Sequence, residues 1–156
     1  MPARPSPAVR ALPVSESPQE LRLRTWVQLA RTFYRMQRRI VSALAKHQIT
    51  LPQFDVLATL RFSEGVTQQE LARLLLVTKG NVCVVLDRLE HVGWVERRTD
   101  PNDARANRLY LTSAGRRKIG TVLPEHDALV LEAMRTCSDA DAKALRRLLE
   151  TVESGV

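Results

Sequence analysis

The sequence has 156 residues, of which 44% are hydrophobic but only 4% aromatic, and a formal net charge of +7. That is room for one domain with an aliphatic core, and the positive excess points to an anionic partner, nucleic acid being the commonest for a soluble chain. Cys83 and Cys137 are too few for a disulfide framework and lack metal-ligand spacing, which fits a reducing, cytoplasmic setting, and no apolar run approaches the roughly twenty residues that cross a bilayer.

Residues 1–16 read as a disordered, Pro-rich tail: they carry arginines but no signal-peptide apolar core, and the prolines oppose an amphipathic helix. "SPQE" then sets Ser17 as N-cap, Pro18 at the first helical position and Glu20 as the reciprocal partner. Leu23, Trp26, Ala30, Phe33, Gln37, Ile40 and Leu44 follow at helical spacing, which predicts a long amphipathic helix ending near His47. Its other face carries Arg22, Arg24, Arg31, Arg35, Arg38 and Arg39. "TLPQ" caps a second helix at Thr50, which Glu64-Gly65 ends. "TQQE" caps a third at Thr67, and a fourth begins at Thr78, turns Val82, Val85, Leu86 and Leu89 inward and stops at Gly93. A short helix, a turn and a second helix make a helix-turn-helix.

"WVERR" and "NRLYLT" alternate as strands, and "TDPNDARA" between them is full of turn formers, so a hairpin with a long tip is expected here. Thr112 caps a further helix, with a kink expected at Pro124. Ser138 caps the last, whose apolar side is Leu145, Leu148 and Leu149. The fold class is therefore mainly α with a small β-hairpin wing: a winged helix-turn-helix at 49–111, with a helical dimerisation region formed by 17–48 and 112–154. The first and last helices carry apolar stripes that the small winged helix cannot cover alone, and such stripes mark an interface.

A helix following a tight turn fits the major groove of B-form DNA, and its N-terminal end attracts phosphate through free N–H groups and the positive dipole end. Because the inward positions hold the core, reading falls to Thr78, Lys79, Asn81, Cys83, Val84 and Arg88. Lys79 reaches phosphate or a guanine edge, Asn81 suits adenine, Val84 meets a thymine methyl group, and Gly80 lets the backbone come close. The same side chains on a plain packing unit would only be solvated. In the wing, Arg98, Arg105 and Arg108 supply charge, and Asp100 and Asp103 stand among them against simple charge counting. These carboxylates can accept backbone N–H bonds at the Pro101-Asn102 turn. They can also hold Arg98 or Arg105 in one place, so that one aimed arginine enters a narrow groove.

"DARANRLYLTSAG" resembles the wing signature of MarR-type transcriptional regulators: D-x-R, an apolar strand, then L-T-x-x-G. The order of elements over roughly residues 20–153 is similar too, as are "LPQFDVLATL" and "LDRLEHVGWVERR". Cys83 and Val84 stand where relatives often have a small hydroxyl residue and a basic one. The resemblance implies a homodimer with intertwined terminal helices, reading double-stranded DNA at half-sites about 34 Å apart on a pseudo-palindrome. It also implies release by a small aromatic or anionic effector. Trp26, Phe33, Tyr34, His47, Phe54 and Asp55 are the candidate wall, with Arg31 or Arg35 to meet a carboxylate, although Trp26 and Phe33 also suit plain core packing.

Other functions have less in the sequence. Cys83, near the positive end of the recognition helix, is a candidate redox switch, against a plain role as a small apolar residue. A winged helix used for protein–protein contact is a further alternative. Catalysis finds no phosphate-cradling Gly loop, since "TKGN" lacks the pattern, and His47, His91 and His126 lack the spacing of a metal site. The expectation is a regulator, most often a repressor in such a family, that is not an enzyme and needs no cofactor or metal.

Overall fold

The computed structural model describes residues 17–155 apart from Asn102, and leaves out the side chains of Ala104 and Arg105. The expected tail at 1–16 lies outside the described residues. The elements run α1 Pro18–Lys46, α2 Leu51–Phe62, α3 Gln68–Leu74, α4 Lys79–His91, β1 Val95–Asp100, β2 Asp103–Leu111, α5 Ser113–Met134 and α6 Asp139–Glu153. The chain divides into two units, one up to Arg35 and one from Met36 onward.

In the first unit Ser17 and Glu20 cap α1 reciprocally: the Ser17 amide donates to Glu20 Oε2 at 2.9 Å and the Glu20 amide to Ser17 Oγ at 3.2 Å. The apolar stripe here is exposed, Trp26 to 62% and Phe33 to 60%. Phe33 and Tyr34 meet edge to face, with centroids 5.8 Å apart.

In the second unit the expected N-caps are all in place. Thr50, Thr67, Thr78, Thr112 and Ser138 each accept a backbone N–H from three residues on, which satisfies an amide that the helix leaves open. The C-terminal ends are equally regular. Trp94 N–H donates to Leu89 O at 2.8 Å across Gly93, whose φ is +72°. Val77 N–H donates to Ala72 O at 3.0 Å in the same pattern, but there the left-handed position is held by Leu76 at φ +53°. This is the turn of the helix-turn-helix, built at a cost because a side chain at that φ crowds its own carbonyl. Helix α5 continues through Pro124.

The core is aliphatic, as the composition requires. Leu57 and Leu60 of α2, Leu71 of α3, Leu86 and Leu89 of α4, Leu109 of β2 and Ile119 of α5 are fully enclosed, and each contributes about 1.5–3 kcal/mol by leaving water. Helix α6 buries none of its residues, and Leu145, Leu148, Leu149 and Val152 are exposed along it.

The hairpin departs from expectation. Its strands pair Val95 with Leu111 through to Asp100 with Asp103, so Pro101 and Asn102 alone lie between them and the long tip is absent. The extra residues are taken up inside β2. Between the pairs Thr99–Asn107 and Asp100–Asp103, β1 advances by one residue and β2 by four. The three residues between Asp103 and Asn107 form an irregularity of the bulge kind in β2. The segment before α3 joins the same ladder: Leu109 N–H donates to Val66 O at 2.9 Å and Gly65 N–H to Leu109 O at 2.8 Å.

The L-T-x-x-G stretch has a direct physical reason. Thr112 Oγ1 donates to Gly93 O at 2.6 Å while also capping α5, and a Cβ at Gly115 would fall 1.9 Å from Trp94 O. The first turn of α5 therefore rests on the backbone of the β1 entry, which only glycine permits. Lys118, one turn on, lies over the half-buried Trp94 ring at 4.8 Å and donates to His47 O at 2.6 Å.

Candidate nucleic-acid interface

Helix α4 presents Lys79, Gly80, Asn81, Val84 and Arg88 to solvent, while Val82, Leu86 and Leu89 hold it in the core. Thr78 accepts from the Asn81 amide at 3.3 Å. The space around Gly80 is open, with Thr78 Oγ1 at 4.0 Å the nearest atom to an added Cβ. Cys83 lies differently from its neighbours. It is half-buried against α3 and its thiol donates to Gln68 Oε1 at 3.3 Å.

The wing arginines fall into three settings. Arg98 is exposed, lies 4.4 Å over the Tyr110 ring and pairs with Glu96. Arg108 is drawn inward: Nε is 2.7 Å from Asp100 Oδ2, and Nη1 donates to Gly65 O at 2.8 Å. Arg105 has its side chain outside the described residues. Asp100, expected to serve Arg98 or Arg105, also pairs with Arg108 and is only 6% exposed. Asp103 is exposed at the tip.

Two further groups were not singled out from the sequence. Arg97, only 16% exposed, reaches from β1 to α4, where it pairs with Asp87 Oδ1 at 2.6 Å and with Glu90. Burial works against its charge, but the two carboxylates prevail and hold the guanidinium above its ordinary pKa. The signal available was a pair of carboxylates three residues apart on α4, of which Glu90 stands in the last turn, where the helix dipole disfavours it. Glu64 accepts from Leu111 N–H at 2.9 Å and pairs with Arg116 at 2.6 Å. Burial pushes its carboxyl up, and the bonds from Arg116 and Leu111 outweigh that and hold it below its ordinary value.

Of the expected effector wall, Trp26, Phe33 and Tyr34 are exposed on the first unit's helix, Phe54 is buried in the core, and His47 pairs with Glu125 at 2.9 Å. Of these residues only Asp55 lines a cavity of about 370 Å³, which α2 and α4 form with Leu75 and Val77. Burial raises the Asp55 carboxyl above its ordinary range, opposed in part by His126. Asn81 and Val84 of α4 share that cavity. Among the described residues no cluster of His, Cys, Asp and Glu gathers to hold a metal ion, and no helix is long and apolar enough to cross a membrane.

Known proteins share this arrangement. The sequence model of the MarR family matches residues 47–106. The regulator PecS from Dickeya dadantii is 28% identical over 128 residues, which are 80% of this chain and 77% of that protein. The multiple antibiotic resistance protein MarR from Escherichia coli is 42% identical over 72 residues, so the match spans 46% of this chain and 50% of that relative. The crystal structure of a mutant MarR from E. coli complexed with operator DNA superposes with a TM-score of 0.74 at 28% identity, covering 86% of this chain and 95% of that one. Sequence and fold agree in this, and the chain belongs to the MarR family of winged-helix transcriptional regulators.

Proposed function

We propose that this regulator is a cytoplasmic homodimer that represses transcription by binding a pseudo-palindromic operator. The observation that carries the reading is the solvent-facing set Lys79, Asn81, Val84 and Arg88 on a helix whose opposite face is locked in the core, beside a wing that presents Arg98. Such a surface has no packing role to fulfil, and its chemistry matches base edges and phosphates. The groove-reading set is Thr78, Lys79, Gly80, Asn81, Val84 and Arg88, with Arg98, Asp103 and Arg105 in the wing. Arg108 supports the wing from behind. Residues 49–111 form the reading region and 17–48 with 112–154 the dimerisation region. The exposed leucines of α6 support that division, because an apolar face of that length is stable in water only when covered.

The effector site is the cavity between α2 and α4. Its walls are apolar except for Asp55 and Asn81, which suits a small aromatic molecule carrying a hydrogen-bond donor better than a bare carboxylate. Because Asn81 and Val84 line it, an occupant would compete with DNA for the same side chains.

Selection of duplexes from random sequence by the purified protein tests the reading. The expected result is a two-fold symmetric motif, bound with nanomolar affinity that falls steeply with added salt. Weak binding without sequence preference would point instead to a winged helix that contacts protein. Peroxide-dependent loss of affinity that a Cys83→Ser variant lacks would point to redox sensing, which the half-buried position of Cys83 disfavours.

A further inference from the structure

Helix α4 carries Asp87 and Glu90 three residues apart near its C-terminal end. On local grounds this is a poor choice. Two carboxylates at i and i+3 repel each other, and Glu90 also stands in the last turn, at the negative end of the helix dipole. They are also a liability on a helix meant to approach phosphates. A third cost lies opposite them: Arg97 Nε is buried with no hydrogen-bond partner among the described residues. Three unfavourable features meeting at one point call for a common cause.

The cause is visible in the alternation of β1. Successive residues of a strand point to opposite faces, so Arg97 turns to α4 while Arg98 turns to Tyr110 and solvent. The Arg97 guanidinium spends its two terminal nitrogens on separate carboxylates, Nη2 on Asp87 and Nη1 on Glu90. A planar fork held at two points fixes the strand in both distance and rotation relative to the helix, which a single contact or a point charge does not.

We infer that Arg97 is a positioning residue for DNA recognition: through Asp87 and Glu90 it sets the angle between the recognition helix and the root of the wing, so that both reach the duplex together. The same contact neutralises the two carboxylates on the DNA-reading helix. Arg97 itself does not touch DNA. This rests on the DNA-reading function proposed above.

The test compares wild type, R97K and the D87N/E90Q double variant on two duplexes, one selected by the wild-type protein from random sequence and one scrambled, over a range of KCl. R97K keeps the charge and loses the fork. It should bind the selected duplex about tenfold more weakly, with scrambled-duplex affinity and salt dependence unchanged. D87N/E90Q should lose the same preference while binding the scrambled duplex more tightly, since two negative charges are gone. An R97K protein as selective as a selective wild type overturns the inference alone. Loss on both duplexes with a shallower salt dependence overturns it too, because that is the mark of a direct phosphate contact. A wild type that selects no sequence overturns the DNA-reading function and takes this inference with it. Should R97K fail to fold, D87N/E90Q decides by itself, and retained preference refutes the role.

Discussion

Asp100 and Arg108 face each other within the wing hairpin, Oδ2 lying 2.7 Å from Nε, and the carboxylate is the more buried member of the pair. The acidic residue in the most arginine-rich stretch is thus an anchor. It holds a guanidinium that also donates to Gly65 O, and so ties the hairpin to the turn between α2 and α3.

Asp100→Ala should therefore lower stability by about 1–3 kcal/mol, because a partly buried guanidinium loses its partner. DNA affinity should fall as well, although a negative charge is removed from a DNA-binding surface. Urea unfolding and duplex binding measure the two effects. An unchanged urea midpoint would show that the pair anchors nothing.

Gly115→Ala should cost about 2–3 kcal/mol, the upper part of the range for overpacking. The obstruction is Trp94 O, a backbone atom 1.9 Å from the new Cβ, and no rotamer change relieves it. Urea midpoints report the loss, and helix content by circular dichroism should be retained.

Leu76→Asn should stabilise by about 0.5–1 kcal/mol, since asparagine tolerates the left-handed conformation better than leucine. Leu76 has φ +53° and is almost wholly exposed, so little packing is lost. The measurement is the melting temperature, expected to rise by a few degrees.

Asp55→Asn should stabilise at neutral pH and not in acid. Burial raises the folded-state pKa of Asp55 above its ordinary 3.8. An acid with a raised folded pKa loses stability as pH climbs from the unfolded value through the folded one, because the unfolded chain gives up its proton more readily. Above both values the charged carboxylate is a fixed penalty that asparagine removes. Melting curves of the two proteins should converge as pH falls below 3.8.

On the face of α4 proposed to read DNA, Asn81→Ala and Lys79→Ala should differ in kind. Loss of a base-edge contact at Asn81 should cost about 1–3 kcal/mol and relax preference at one operator position. Loss of a phosphate contact at Lys79 should weaken all duplexes alike and reduce the salt slope by about one. Binding to operator variants at several salt concentrations separates them.

Much of the fold was legible because its signals are local. A cap and its partner lie three residues apart, so Thr50 with Gln53 and Thr67 with Glu70 announce their helices directly, and Gly93 announces an end. The illegible parts are settled by residues far apart in the chain. The hairpin closes more tightly than its turn formers suggest, because Asp100 pairs with Asp103 and β2 takes up three extra residues. Arg98, Arg105 and Arg108 are the same residue type in one stretch, and spacing alone does not tell that Asp100 will pair with Arg108. Cys83 was placed outward by helical periodicity, but α3 crosses close enough for Gln68 to receive its thiol. The cavity is not legible in the sequence because α2, α4 and the turn at Val77 make it jointly, and no single stretch records its walls.

Trp94 is half-buried at the junction of α4, β1 and α5 with an ammonium group over its ring, whereas Trp26, the other tryptophan, is exposed on α1. Nature has thereby left a spectroscopic label at the root of the wing. In a Trp26→Phe protein all tryptophan emission comes from that junction, so its intensity and wavelength would follow movement of the hairpin in real time, with no dye attached, as DNA or a small molecule is added.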